Sequence, residues 1–149
     1  ISGSTIAFII VKITNLELIR LNYGEEIVAE AERKVAEILV ENRREGDICG
    51  IFREGEFALF ADHTNFDLVK AYGNVRAYVK ELNDKLKECC LDDDRGYIKC
   101  AVGASVYPET SEDYDELYEM AEKACEKAEH SEDARAVIYD KKEEEVSRS

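Results

Sequence analysis

The chain has 149 residues, 45% of them apolar, and carries 20 basic against 34 acidic side chains for a formal net charge of −14. That length and apolar share fit one domain with a proper core and exclude a disordered chain. A surface this acidic repels nucleic-acid backbones and anionic membranes, so no nucleic-acid partner is expected, and a bound polyphosphate would need a local basic spot or a metal ion.

No apolar run approaches the roughly 18 residues of a membrane span, so no membrane insertion is expected. The start, Ile1-Ser2-Gly3-Ser4, lacks the basic region of a secretion signal. The five cysteines, Cys49, Cys89, Cys90, Cys100 and Cys125, are odd in number and have no CxxC spacing. Neither His63 nor His130 lies in an HExxH pattern. Reduced thiols in a cytoplasmic protein are the expectation, with no disulfide framework and no zinc site.

In chain order, TIAFIIVKI (5–13) is a continuous apolar run rich in β-branched residues and predicts a buried strand. NLELIRLNYG follows as a short helix ending at Gly24. Over 25–44, Ile27, Val28, Ala31, Val35, Ile38 and Leu39 recur at helical spacing, and Gly46 stops the helix. DICGIFRE and EFALFAD predict a hairpin around the turn Arg53-Glu54-Gly55-Glu56. A third helical pattern covers 65–90, weakened by Gly73, and Asp92-Asp93-Asp94 opens a turn. YIKCAVGASVYP (97–108) predicts a strand, and a Ser111 cap opens a helix that reaches about His130. ARAVIYD (134–140) is the last strand, and the tail 141–149 is polar. The order β-α-α-β-β-α-β-α-β predicts an α+β fold of ferredoxin-like palm style. Its central sheet has five strands, mixed or antiparallel, and is covered by helices. One domain spans 1–149 with its core at about 5–140, and its bare ends suggest a piece of a longer signalling protein.

Several landmarks in this order resemble a GGDEF domain, the diguanylate cyclase family. Arg44-Glu45-Gly46-Asp47, then five residues, then Arg53-Glu54-Gly55-Glu56-Phe57 is similar to the family's RxxD, five residues, GGDEF. Val102 to Pro108, Ala121-Glu122-Lys123-Ala124 and Ala136 to Asp140 resemble a later strand, the start of the last helical segment and the closing strand. The resemblance runs from about Ile6 to Asp140. It implies a half-site enzyme, in which two domains each bind one GTP and join them into cyclic di-GMP with divalent cations held by carboxylates.

Those carboxylate positions fall on Lys12 (or Thr14) and on Gly55. A charged lysine does not ligate magnesium, and glycine has no side chain. The family's two turn glycines, which let backbone approach the phosphates, become Arg53 and Glu54. Its guanine-reading asparagine and aspartate fall on Arg20 and Ala29, its phosphate-binding lysine on Glu129, and a further basic partner on Asp133. Only Glu56 and Phe57 keep the family identity, and that glutamate belongs to the family's catalytic centre. The expectation is a degenerate cyclase domain without catalysis, metal or cofactor.

Arg44 and Asp47 fit the family's inhibitory site, where an arginine fork and an aspartate grip cyclic di-GMP. Arg76 on the next long helix offers a second cation. A plainer reading is open: Arg44 suits a helix C-terminus, and Gly46-Asp47 is a common stop and turn. Two functions therefore stand side by side, with an active diguanylate cyclase as a remote third that would need the correspondence at Lys12 and Gly55 to be wrong. One is a receptor for cyclic di-GMP. The other is a ligand-free module that packs on an EAL phosphodiesterase, on a sensor domain or on a second copy of itself. Tyr72, Tyr78, Tyr97, Tyr107, Tyr114 and Tyr118 read as edges of the core, the runs 92–94 and 143–145 as solvated acid, and Cys89-Cys90 as a helix end.

Overall fold

Alternation along the first strand decides the layers. In the computed structural model, which describes residues 6–42, 48–62, 68–107, 113–131 and 136–139, β1 (Ile6–Ile13) is the centre of a five-stranded sheet. Ala7, Ile9, Val11 and Ile13 point into one core and Phe8 and Ile10 into a second. This is the period-2 rule of a strand buried on both faces. The strand order is β2-β3-β1-β4-β5, from β2 (Ile48–Arg53), β3 (Glu56–Asp62), β4 (Cys100–Tyr107) and β5 (Ala136–Ile138). β1 runs antiparallel to β3 and β4, and β5 joins β4 in parallel, so the sheet is mixed as expected.

The larger core is closed by three helices: α1 (Leu16–Tyr23), α2 (Glu25–Glu41) and α3 (Leu68–Lys87). From α2 it takes Val28, Ala31, Val35 and Leu39, with Ile27 and Ile38 half-buried beside them. From α3 it takes Val75, Val79, Leu82 and Leu86. The α1–α2 corner is Gly24, whose φ of 87° is a left-handed value that favours glycine. Among the described helices, α4 (Tyr114–Glu129) alone covers the other face, through Ala121, Cys125 and Ala128. It lies over β1, β4 and β5, while Ile48, Phe52 and Phe60 at the β2–β3 end stay exposed.

Three expected boundaries move. The strand expected over 97–108 starts at Cys100, because 89–98 closes on itself as a knuckle. Leu91 N–H donates to Gly96 O at 2.8 Å and Ile98 N–H to Cys89 O at 3.0 Å, with Asp93 and Asp94 at positive φ. The last helix starts at Tyr114 and is capped by Asp113, whose carboxylate accepts from Asp115 N–H at 2.9 Å, in place of the expected Ser111. The closing strand is three residues long. Gly73 sits inside α3 without ending it. Ser111, Pro108 and the 141–149 tail lie outside the described residues. No described helix is long and apolar enough to cross a membrane.

α4 can lie flat on β4 because β4 offers Ala101, Gly103 and Ser105 on that face. A Cβ on Gly103 would stand 2.1 Å from Cys125 N and 2.4 Å from Ala121 O. Ser105 Oγ, fully buried, donates to Leu117 O at 2.7 Å. Gly103→Ala must push backbone against backbone, so it is expected to cost at least about 3 kcal/mol. The check is a lower urea midpoint at unchanged slope.

Candidate functional site

Lys12 is the next α4-side residue of β1 after Phe8 and Ile10, and it comes up short of α4's cover at a cavity of about 420 Å³. Its register partner on β3 is Glu56, and its ammonium donates to Glu129 Oε2 of α4 at 3.0 Å. Two positions 117 residues apart, one assigned by the resemblance to a metal carboxylate and one to a phosphate-binding lysine, thus meet with both charges exchanged. The hydrogen bond to Glu129 is the main cause that raises the Lys12 pKa above its ordinary 10.5. Thr14 points elsewhere and donates to Lys99 O at 3.3 Å, so Lys12 is the one of the two that faces the cavity.

The turn Arg53-Glu54-Gly55-Glu56 forms one wall. Glu54 and Gly55 are its corner, and Gly55 has a φ of 72°, as the second corner position of such a turn favours. Arg53 and Glu54 are exposed, as expected of a hairpin tip, but Gly55 is buried. Its N–H donates to Glu32 Oε2 of α2 at 3.0 Å, and its carbonyl accepts from Ile13 N–H at 2.8 Å. The place of a Cβ is taken by Leu16, whose Cδ2 would be 2.7 Å away. Arg20 ties the same turn to the helices: its guanidinium bonds Glu54, Glu17 and, at 2.6 Å, Glu25. Those three carboxylates hold the Arg20 pKa well up, Glu54 first. Ala29, at the other position assigned to guanine reading, is exposed on α2 and offers no polar group.

Besides Glu129, α4 supplies residues that the sequence reading did not single out for a site. Tyr118, Glu122 and Cys125 follow the same helical face as Glu129, a spacing that could have flagged them. Tyr118 accepts from Arg53 Nη2 at 3.1 Å and donates to Glu122 at 2.8 Å. Arg53 Nε also pairs with Glu56 at 3.3 Å. Burial pushes the Cys125 thiol up to about 12, which leaves it protonated at neutral pH.

The chemistry of the lining follows. Among the described lining residues, Glu56, Glu122, Glu126 and Glu129 oppose Lys12 and Arg53, so that lining has an excess of negative charge. A triphosphate meets repulsion there. A divalent cation meets the Lys12 ammonium at the centre, and among the described residues no three His, Cys, Asp or Glu side chains converge on a metal position. The residues present do not fit the family's cation.

The remaining expected residues do not join this cavity. Phe57 is a core residue, 2% exposed. Arg76 is exposed on α3 and lines a separate groove with Val79 and Lys80. Arg44, Asp47 and Asp133 lie outside the described residues.

The family model described as "Diguanylate cyclase, GGDEF domain" matches residues 2–135. Among solved structures, the active GGEEF domain of a diguanylate cyclase from Vibrio cholerae is 18% identical, with a TM-score of 0.76 over 92% of this chain and 84% of that one. The GGDEF domain of DgcB from Caulobacter crescentus in complex with c-di-GMP is 16% identical, with a TM-score of 0.75 over 91% and 78%. An EAL/GGDEF domain protein from M. capsulatus is 16% identical, with a TM-score of 0.76 over 93% and 87%. No curated protein matches the sequence.

Two outcomes test this geometry. Gly55→Asp puts a side chain at a left-handed φ and against Leu16, and is expected to destabilise by about 1–2 kcal/mol in urea melts. The second concerns alkali. Cys125 and Lys12 both have folded pKa values above their ordinary 9.0 and 10.5, so both contribute stability that is complete below those values. It is lost as pH rises through the folded values. The urea midpoint should hold to about pH 9 and fall by pH 12. Cys125→Ala should lessen the fall. Lys12→Met should cost no more than about 1 kcal/mol at pH 7, since the pair is partly exposed and screened.

Proposed function

Because the chain belongs to the GGDEF family of diguanylate cyclase domains, we propose that it is a family member that does not cyclise GTP and acts as a regulatory module in cyclic di-GMP signalling. The observation that carries this reading is the Lys12–Glu129 ion pair at 3.0 Å, which puts a cation where the family's metal carboxylate would be and an anion where its phosphate lysine would be. Gly55 supports it, since it brings no carboxylate to the turn, and its left-handed φ and the packing of Leu16 disfavour one there. The Arg20–Glu54 tie adds to it, since an ion pair to the turn engages the side chain at one of the positions that the resemblance assigns to guanine reading. Each lost charge-assisted contact removes about 1.5–3 kcal/mol. Several are lost and one is reversed, which suffices to end turnover even when the losses are not additive.

The ligand in this reading is cyclic di-GMP, gripped by Arg44 and Asp47 with Arg76 as a second cation. The competing arm is a ligand-free module regulating an adjoining EAL or sensor domain, or a second copy. The likeness to an EAL/GGDEF domain protein supports keeping an EAL domain among the candidate partners.

Incubated with GTP and magnesium or manganese, the purified chain should make no cyclic di-GMP above a no-protein control. Product above that control overturns the reading. Cyclic di-GMP at about 100 times its dissociation constant should add roughly 2.7 kcal/mol of stability, a readily measured rise in Tm. Arg44→Ala should abolish the rise, Asp47→Ala should weaken it, and GTP should give none. A melting curve unmoved by saturating cyclic di-GMP selects the ligand-free module.

A further inference from the structure

Asn83 of α3 is 8% exposed, yet no described residue hydrogen-bonds its side-chain amide. Buried amides are as a rule paired, and this one offers a donor and an acceptor that the described residues leave open. It lines two adjoining cavities, which also share Lys87. One, of about 290 Å³, has an apolar floor of Leu86 and Ile98 and Tyr97 at its rim, 64% exposed. The other, of about 380 Å³, runs along α3 past Lys80 to Ile138 of β5.

The charge here departs from that of the molecule as a whole. Lys80, Lys87 and Lys99 are exposed and make no ion pair among the described residues. Asp84 is the one acidic side chain in the lining, and it pairs with none of them. In a chain of net charge −14, this is a local basic spot of the kind an anion needs. Lys80 and Lys87 are seven residues apart on one helix, about 10 Å along its axis, a distance a short phosphate chain spans.

We propose that this groove binds a nucleoside phosphate, with adenine as the preferred base. The base lies on Leu86 and Ile98 against the Tyr97 ring, since an exposed aromatic is a stacking platform for any base. The Asn83 amide pairs one donor and one acceptor with the adenine N6–N7 edge. Guanine, with acceptors at both O6 and N7, does not match an amide in that way. The phosphates reach Lys80 and Lys87. The site shares no residue with the Lys12 cavity and includes neither Arg44 nor Asp47; Arg76, the second cation of the cyclic di-GMP reading, lines its α3 side, and the variants below leave Arg76 in place.

The test is chemical-shift mapping of the 149-residue chain titrated without metal ion with ATP, GTP, adenosine and tripolyphosphate. ATP should shift amides of α3, the 97–99 segment and β5. It should bind at least fivefold tighter than GTP and than either of its halves, adenosine or tripolyphosphate. Lys80→Gln combined with Lys87→Gln, both at exposed positions, should weaken ATP at least tenfold with Tm unchanged. Asn83→Leu, which removes an unsatisfied buried amide, should leave Tm level or higher and erase the preference for ATP over GTP. Absence of shifts at millimolar ATP overturns the proposal. So do equal affinity for GTP, tripolyphosphate binding as tightly as ATP, undiminished binding by the double variant, or a fall in Tm with binding intact in Asn83→Leu.

Discussion

The rest of the structure depends on how closely α4 approaches β4. Ala101, Gly103 and Ser105 leave no side-chain bulk on that face, and Gly103 lets the Ala121–Cys125 backbone touch the strand. The helix is then fixed in register as well as in height, since Ser105 Oγ bonds Leu117 O and Cys125 Sγ faces Ala101 O at 3.6 Å. That register carries Glu129 one turn past Cys125 and over Lys12. A one-residue slip of β1 would turn Lys12 into the apolar core and Val11 out to the cavity. The hydrophobic alternation of β1 and the small residues of β4 together therefore determine which charged groups meet.

Exchanging the charges at Lys12 and Glu129 costs the fold little. A partly exposed pair contributes at most about 1 kcal/mol in either polarity. What such an exchange sets is the field in the cavity, where Lys12 and Glu129 act on any ligand. The packing of α4 on β4 and the charge of the cavity are thus held by different residues. Gly103, Ala121 and Cys125 carry the first, and Lys12, Glu129 and the 53–56 turn carry the second.

Periodicity made the fold legible. The β1 run, the α2 stripe of Val28, Ala31, Val35 and Leu39, and the hairpin around Gly55 were all readable because burial imposes periods of 2 and 3.6 on any chain. Ends were harder, since they depend on local hydrogen bonds that have no period. The knuckle at 89–98 shortens a strand that reads as continuous, and Asp113 takes the cap that Ser111 seemed to offer. At the site, the sequence showed which side chains were unusual but not what they had become. Arg20 meets Glu54 across 34 positions and Glu32 meets Gly55 across 23. The turn that reads as a solvated tip is anchored from two helices, and its glycine is buried.

The half of the α4-side sheet face that no described helix covers has a colloidal consequence. Ile48 is 68% exposed and Phe60 39%, side by side on neighbouring strands, with Phe52 close by. Such a strip would make copies of the chain adhere if they met often, and long-range repulsion between like-charged molecules is what keeps meetings rare. That protection reaches about 10 Å in 0.1 M salt and about 3 Å in 1 M. Raising the ionic strength therefore shortens the reach of the repulsion that keeps copies apart, and neutralising the carboxylates with acid acts in the same direction.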